Sequence, residues 1–367
     1  MTLPQREGEP ARLLWLSTLT ATRFRYTSAL RDSRARRDLS ELPFRIDWIQ
    51  WLADHRVAPL TALALGFTFL GELEGYVALI ALAFAAYDKR LAIRLAFVTL
   101  IATALDDFLK MWIANPRPFV SVGTYREEWA VPAWQISQLA GQYSTPSGHA
   151  MAAGAFWGLL YLYWRGRWAR IACVVAILGT GLSRPYLGVH YVEDVLLGWM
   201  LGIGVAVAAA RHGDAIAGRW RAIAPGRRVA IAVASSAALW ALVHGPDANG
   251  HSYALADYAG FLTGIVAAGP LEERLVRFDP RSSSALCKVL RFALCVAMIL
   301  GTLLLLGGAF GTIAAAATPL GDLLHYLRYA AASVAGLFVA PLLSVRFGLA
   351  NRLGDPGPDR VPVVAPQ

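Results

Sequence analysis

Ten apolar runs follow one another along this chain, and no other feature restricts its possible folds as strongly. Most are about as long as an α-helix must be to cross the hydrocarbon core of a bilayer, where the backbone finds no water to bond. The runs lie near 50–71, 73–88, 93–114, 149–164, 168–183, 190–210, 229–244, 256–271, 289–309 and 325–345. The pattern predicts an all-α, polytopic integral membrane protein.

The composition excludes the other broad classes of protein. Hydrophobic residues make up 56% of the 367 residues and charged residues 16%, against about 25% charged residues in a soluble domain. Three cysteines, at 173, 287 and 295, are too few for a disulfide framework. The net charge of +9 comes largely from arginines at the ends of apolar runs, where they would meet anionic lipids. We therefore expect no nucleic-acid partner.

The connections between the runs alternate between arginine-rich and arginine-poor. The basic ones lie at 1–45, 89–94, 165–170, 211–228, 274–291 and 346–352. Because cytoplasmic loops carry the excess of lysine and arginine, we expect both termini in the cytoplasm and the remaining loops outside. The expected location is a bacterial inner (plasma) membrane.

Three polar motifs break this rule by placing cations on the arginine-poor side. The first holds Lys110 and Arg117, the second is the tetrad 146–149 (Pro-Ser-Gly-His), and the third runs from Arg184 to Asp194. Ionisable groups at the ends of spans in so apolar a chain are functional candidates by default.

The residue types of these motifs suit a bound phosphate. Lys110, Arg117 and Arg184 supply three cations, and the planar guanidinium groups match phosphate oxygens. Ser147 and Gly148 precede an apolar helix whose first free N–H groups can bind an anionic oxygen, and glycine permits close approach.

Two histidines add the means for a chemical step. His190 and Asp194 are four residues apart, a spacing that puts both on one face of a helix. There the carboxylate would fix the tautomer of the imidazole and stabilise its cationic form, as a histidine nucleophile requires. His149, the other histidine of the motifs, can donate a proton to a leaving group.

Each motif alone also has an ordinary structural interpretation. The tetrad is typical of a helix N-cap, the lysine and arginine of a snorkelling pair, and the His–Asp spacing of a helix-surface pair. Their joint occurrence on one predicted membrane face favours a functional site. No acidic or histidine cluster in them forms a metal-ligand set, so we expect neither metal nor other cofactor. The histidines and aspartates at 244, 247, 251 and 257 are expected to be solvated loop residues.

Together the three motifs resemble the signature of the type 2 phosphatidic acid phosphatase superfamily of membrane lipid phosphatases. The resemblance covers about 57–210, and Glu72 and Glu74 look like part of the turn after that family's first core helix. It implies a six-helix core and metal-independent hydrolysis through a phosphohistidine. It assigns His190 as nucleophile, Asp194 as its orienting partner and His149 as acid, later base. The phosphate would be bound by Lys110, Arg117, Ser147, Gly148, His149 and Arg184.

The chain continues beyond such a core with four further runs. This extension resembles the sphingosine phosphate phosphatase branch of the superfamily. Gly260 and Gly264 form a small-residue face that suits packing within the chain or, alternatively, a homodimer through the C-terminal spans.

The expected organisation has five segments. They are a cytoplasmic N-terminal segment (1–46, amphipathic at 13–21), the catalytic core (47–211), a basic cytoplasmic loop (212–228), the extension (229–346) and a disordered tail (347–367).

The expected function is hydrolysis of a phosphate or diphosphate on a phospholipid, isoprenoid or sphingoid lipid at the outer leaflet. A phosphotransferase that passes the phosphate from one lipid to another is an alternative, because only the final acceptor differs. A lipid transporter or scramblase with a phosphatase-like core is the alternative of another class. The retained histidines and cations count against it.

Overall fold

The computed structural model describes residues 44–243, 251–281, 284–314 and 318–353. The predicted amphipathic helix at 13–21, the tail from 355 onward and the loop residues 244 and 247 lie outside these ranges. Within them all secondary structure is helical, except for an isolated bridge between Phe278 and Arg352. The predicted all-α class is confirmed.

Fourteen α-helices occupy the described residues. In chain order they are α1 Asp47–Asp54, α2 Ala58–Leu70, α3 Leu73–Ala86, α4 Lys89–Ile113, α5 Tyr125–Glu128, α6 Ala133–Ala140, α7 Gly148–Tyr163, α8 Arg167–Tyr186, α9 Val192–Ala222, α10 Pro225–Val243, α11 His251–Leu271, α12 Ala285–Gly311, α13 Pro319–Val334 and α14 Ala340–Arg346. Two π-helical turns, Glu272–Val276 and Ala335–Val339, continue α11 and join α13 to α14.

Several of these helices can cross a bilayer. Four segments of the described chain are long and apolar enough, and the bent pair α2–α3 would make a fifth. The four are Val192–Ala222, Ala254–Val276, Ala285–Gly311 and Pro319–Arg346. The predicted integral membrane class is confirmed, and every predicted apolar run contains a helix. The other helices fall short as spans because they are shorter or, like α4, carry charges at both ends.

The first apolar run differs from its prediction as a single helix near 50–71. The chain breaks at residues 55–57 into the separate helices α1 and α2. Pro59 is the second residue of α2, a position that suits proline because no N–H is needed in a first helical turn and because its ring would clash with a preceding turn.

Helices α7 and α9 pack closely and form the centre of the core. A Cβ at Gly202 would collide with the backbone of Met151, so only glycine allows the two axes to approach this far. The approach also ties their N-terminal ends together, since the Ser147 N–H donates to the Asp194 carbonyl at 3.0 Å. This end of the helix pair carries two of the three polar motifs.

The hairpin of α3 and α4 has two apolar faces. One face packs Tyr76, Leu95 and Val98 against α7. The opposite face packs Ala96 and Leu100 against α11 and α12 of the extension. The extension therefore covers a surface of the core that lies away from the α7–α9 pair.

Within the extension, α11 packs against α13 through the predicted small-residue face. A Cβ at Gly260 or Gly264 would collide with the carbonyl oxygens of Tyr326 and Ala330. The glycine pair is therefore used for packing inside the chain, the first of the two alternatives above. At the other end of α11, Glu272 pairs with Lys89 at 2.9 Å and anchors the extension to the start of α4.

Candidate active site

The three polar motifs meet at one end of the helix bundle. The carbonyl of Asn115 accepts a bond from the Ser144 N–H at 2.8 Å, joining the first motif to the approach of the second. The guanidinium of Arg117 donates to the Val189 carbonyl at 2.9 Å, joining the first motif to the third. With the Ser147–Asp194 bond, these contacts fix all three motifs to one another.

His190 lies at the centre of the cluster and is 1% exposed. Its Nδ1 is 3.3 Å from Asp194 Oδ2, and its Nε2 is 2.8 Å from Nη1 of Arg117. Since a guanidinium can only donate, Nε2 accepts and the proton belongs on Nδ1, facing the carboxylate. Burial, followed by the charges of Arg117 and Arg184, lowers the pKa of His190. The imidazole is therefore neutral, with the lone pair of Nε2 turned toward the cations.

The His190–Asp194 contact forms in a different way from the sequence prediction. The two residues do not share a helix face, because α9 begins only at Val192 and His190 lies in the loop before it. Asp194 is in the first turn, where its Oδ2 also accepts the Tyr191 N–H at 2.9 Å as part of a capping box. The cap geometry turns the carboxylate back toward His190.

Two residues absent from the sequence prediction hold Asp194. The hydroxyl of Ser144 donates to Oδ2, and that of Thr145 donates to Oδ1 at 2.5 Å. Both directly precede the Pro-Ser-Gly-His tetrad, and the Thr145 hydroxyl also accepts from the Asn115 amide at 3.0 Å. Their position beside the tetrad could have indicated a role at the site. Only the tertiary structure, however, brings them into contact with a carboxylate about 50 residues away in the sequence.

The structure brings the three predicted cations to this site and buries them all. Lys110 donates to Asp106 at 2.6 Å, Arg117 to Gln142 at 3.1 Å, and Arg184 to Thr68 at 3.3 Å. Asp106 was not predicted, although it precedes Lys110 by four residues on α4. Its carboxylate lies where a Cβ at residue 148 would stand, so Gly148 makes room for the partner of Lys110.

Besides Nε2 of His149 and Oδ1 of Asp106, three buried polar atoms of the site have no hydrogen-bond partner within the described chain. They are Nε of Arg117, Nε of Arg184 and Oγ of Ser147. An unpaired buried donor costs about 1–3 kcal/mol, and several in one place call for a common partner. All three can donate to an anionic oxygen, and Ser147 also stands at the N-cap of α7, where free N–H groups add to the attraction.

His149 lies in the first turn of α7, and its Nε2 is 3.7 Å from Oε1 of Glu72. The sequence prediction treated Glu72 only as part of a turn. The pair places a second imidazole, with a second carboxylate, close to the charges that surround His190.

The described residues contain no group of three or more His, Cys, Asp or Glu side chains placed to hold a metal ion. Positive charge at the site instead comes from one lysine and two arginines. The arrangement brings together a buried imidazole, a second imidazole and three cations, groups whose chemistry suits nucleophilic attack, proton transfer and the binding of a tetrahedral anion.

Comparison with known families identifies both parts of the chain. Residues 91–215 match the model of the PAP2 superfamily, and residues 256–352 match that of the transmembrane extension of PAP2 superfamily phosphatases. The first match contains all three polar motifs. The second covers most of the extension, from α11 onward.

Three relatives match part of the chain. An undecaprenyl-diphosphatase of Sulfolobus acidocaldarius is 31% identical over 116 residues, 31% of this chain and 51% of its own length. Phosphatidylglycerophosphatase B of Bacillus subtilis is 35% identical over 109 residues, 27% and 46% of the two chains. Glucose-6-phosphatase 3 of Mus musculus is 29% identical over 164 residues, 40% and 47% of the two chains.

The matches span about half the length of these relatives. No solved structure matches the chain.

Proposed function

Since the chain carries a PAP2 superfamily domain followed by that superfamily's transmembrane extension, we propose that it is a lipid phosphatase acting through a phosphohistidine. The observation that carries this proposal is the set of unpaired donors on Arg117, Ser147 and Arg184, next to His190 Nε2, whose lone pair faces Arg117. A phosphate bound by these donors has its phosphorus within reach of that nitrogen.

In the first step, Nε2 of His190 attacks phosphorus and forms an N–P bond while the bond from phosphorus to the lipid oxygen breaks. The positive charge that develops on the imidazole is shared with Asp194 through Nδ1–H. His149 gives its proton to the departing lipid oxygen as general acid. The cations stabilise the charge on the transferring phosphoryl group. Arg117 Nη1 gives up its bond to Nε2 and turns to the phosphate as the nitrogen attacks.

In the second step, water attacks the phosphohistidine and the N–P bond breaks. His149, now neutral, takes the proton from this water as general base, which restores both histidines. The products are inorganic phosphate and a lipid alcohol, or a lipid monophosphate if the substrate is a diphosphate.

The substrate class follows from the membrane setting and from the relatives. Two of the relatives are named for an undecaprenyl diphosphate and a phosphatidylglycerophosphate, which share a terminal phosphate on a lipid. Phospholipid, isoprenoid and sphingoid phosphates all offer this group to the same cradle. The test is phosphate release by the purified chain from a panel of these lipids in detergent micelles. Release from none of them would overturn the proposal.

The step of transfer to water is what distinguishes a phosphatase from a phosphotransferase. The same panel, run with and without an added lipid acceptor, measures both outcomes. Appearance of a phosphorylated acceptor with no free phosphate would establish the transferase in place of the hydrolase. A transporter or scramblase would move labelled lipid across vesicles and release no phosphate.

Independence of metal is part of the proposal. One lysine and two arginines can neutralise the phosphate, so the chemistry needs no Lewis acid. Turnover in excess chelator should equal turnover without it. Loss in chelator that magnesium restores would contradict this part.

The orientation we propose puts the site on the exterior (periplasmic) side, with both termini in the cytoplasm. The reason is that arginine-rich loops are typically cytoplasmic and the three polar motifs lie at the opposite, arginine-poor ends of the helices. Thr124→Cys, near the motif end, should react with an impermeant thiol reagent in intact cells, whereas Arg167→Cys should not. The reverse pattern would place the site in the cytoplasm.

A further inference from the structure

Glu72 lies at a bend that aims its side chain at the site. It occupies the break between α2 and α3, whose axes differ by 57°. The preceding residue, Gly71, packs so closely on His149 that a Cβ there would stand 3.1 Å from Cδ2 of the imidazole. This close packing brings Glu72 Oε1 to 3.7 Å from Nε2.

The charges around His149 are mostly positive. Arg184 of α8 and Lys110 of α4 face it, as does His190 from the loop before α9. A proton on the His149 imidazole adds one more positive charge. Repulsion from Arg184 and Lys110 therefore disfavours protonation of His149. Glu72 is the acidic group that faces His149, and it is also close to Arg184. The negative charge of Glu72 offsets part of the positive charge around His149. This favours the proton that His149 needs as a general acid.

The Nε2 atom of His149 is available for this contact. It is buried and has no hydrogen-bond partner within the described chain. At 3.7 Å it is just beyond hydrogen-bond range of Glu72, and such contacts are often long before substrate binds and tighten in the complex. The same Oε1 of Glu72 accepts from the Gln135 amide of α6 at 3.5 Å, which limits where the carboxylate can turn.

We infer that Glu72 is the positioning residue that orients His149 and favours its protonated form, so that the two histidines form two separate carboxylate pairs. This inference rests on the proposed phosphatase function. His190–Asp194 would serve the nucleophile, and His149–Glu72 would serve the acid. Glu72 lies outside residues 91–215, so the superfamily match does not assign it.

The test varies the leaving group, because an acid matters most when the departing oxygen is a poor leaving group. A series of aryl phosphates, from nitrophenyl to phenyl phosphate, is given to purified Glu72→Gln, which keeps the size of the side chain and removes its charge. We expect a loss in kcat that rises along the series to about 10- to 100-fold, part of the about 10²–10⁴-fold that general acid catalysis supplies. Glu74→Gln is the matched control and should show a flat, small change.

Two further measurements separate positioning from a structural role. The basic limb of the pH profile of kcat should move to lower pH in Glu72→Gln, because His149 then loses its proton more readily. Adding Glu72→Gln to His149→Ala should cause no further loss, since the residue acts through His149. Glu72→Asp should recover part of the activity.

The inference is overturned if Glu72→Gln lowers kcat equally on every ester and leaves the basic limb of the pH profile in place. It is also overturned if this variant keeps full activity. An equal loss would mean that the variant disturbs only the bend. Failure of the proposed function is a distinct result, in which the unaltered chain cleaves aryl phosphates but no lipid. The Glu72 series can then still be measured. A chain inactive on both kinds of ester would overturn both proposals.

Discussion

The core and the extension both bury charged groups in an apolar setting, but they treat them differently. In the extension, Asp257 lies in α11 and pairs with His325 at 2.9 Å, so its prediction as a solvated loop residue is wrong. Asp322 accepts from the Trp240 indole at 2.7 Å. Arg291, 1% exposed, donates to two backbone carbonyls at 2.8 and 2.9 Å and leaves a single buried donor, its Nε, without a hydrogen-bond partner in the described chain. In the core, three such donors, on Arg117, Ser147 and Arg184, belong to one site.

This difference separates structural polar groups from a binding site. A buried charge with well-placed partners joins one helix to another, and its loss lowers stability. A group of buried donors without partners costs free energy that a ligand can recover on binding. We therefore expect substitutions at the site in the core to lower activity. Matched substitutions in the extension should lower stability instead.

The largest expected effect is on His190. Replacing it in His190→Ala removes the proposed nucleophile and should lower turnover by about 10⁴-fold or more, on every substrate. The phosphorylated enzyme, stable to base and labile to acid, should be absent. The matched change in the extension is His325→Ala, and the enzyme with this change should retain most of its turnover. Near-native activity in folded His190→Ala would mean that another group attacks phosphorus.

Asp194 should give the next largest effect. Asp194→Asn keeps the shape and the cap of α9 but removes the charge that stabilises the imidazolium, so we expect about 10²- to 10⁴-fold lower turnover. The fold should persist because the amide oxygen can accept from Ser144 and the Tyr191 N–H, while the amide NH2 can donate to the Thr145 hydroxyl. Turnover and thermal midpoint are measured together, with Asp257→Asn as the comparison. Equal losses of turnover in the two variants would remove the distinction between the regions.

A change in the glycine face should affect stability and not chemistry. Gly264→Leu inserts a side chain against the backbone of Ala330 and should lower the free energy of unfolding by about 1–3 kcal/mol. Gly269→Leu is the control, since a Cβ at Gly269 has no atom within 4 Å. Thermal midpoints in detergent should fall only in the first variant, while turnover per folded molecule stays close to normal in both. A fall in turnover without a fall in stability would tie the extension to the catalytic step.

The smallest expected effect is a pH dependence of stability. Burial lowers the pKa of His190 in the folded chain, so below about pH 6.5 the unfolded chain takes up a proton that the folded one does not. Stability is therefore complete above that pH and falls as the pH drops. The thermal midpoint should decline less between pH 7 and pH 5 in His190→Gln than in the unaltered chain. An equal decline would mean that His190 is protonated in the folded state.

Much of this protein was predictable from its sequence. The length of the apolar runs gave the all-α membrane class, because only helices satisfy the backbone in lipid without pairing to another segment. The candidates Lys110, Arg117, His149, Arg184 and His190 were visible as rare charged residues in an apolar chain. Their proposed roles in catalysis remain predictions.

The partners of these residues could not be predicted, because each contact joins segments that are far apart in the sequence. Glu72 is 77 residues from His149, and Ser144 is 50 residues from Asp194. Such pairs depend on where helices end and bend, and hydrophobic periodicity does not report this. The contact between His190 and Asp194 looked like a helix pair in the sequence and proved to be a capping contact.

The sequence by itself therefore determined the class of the protein and the chemical inventory of its site, since both depend on composition and local spacing. Only the tertiary structure decided which carboxylate faces which imidazole and which donors remain unpaired. It also decided that the glycine pair of α11 packs inside the chain. These are matters of distance between separate helices, and the close packing of α7 on α9 and the bend at Glu72 set those distances.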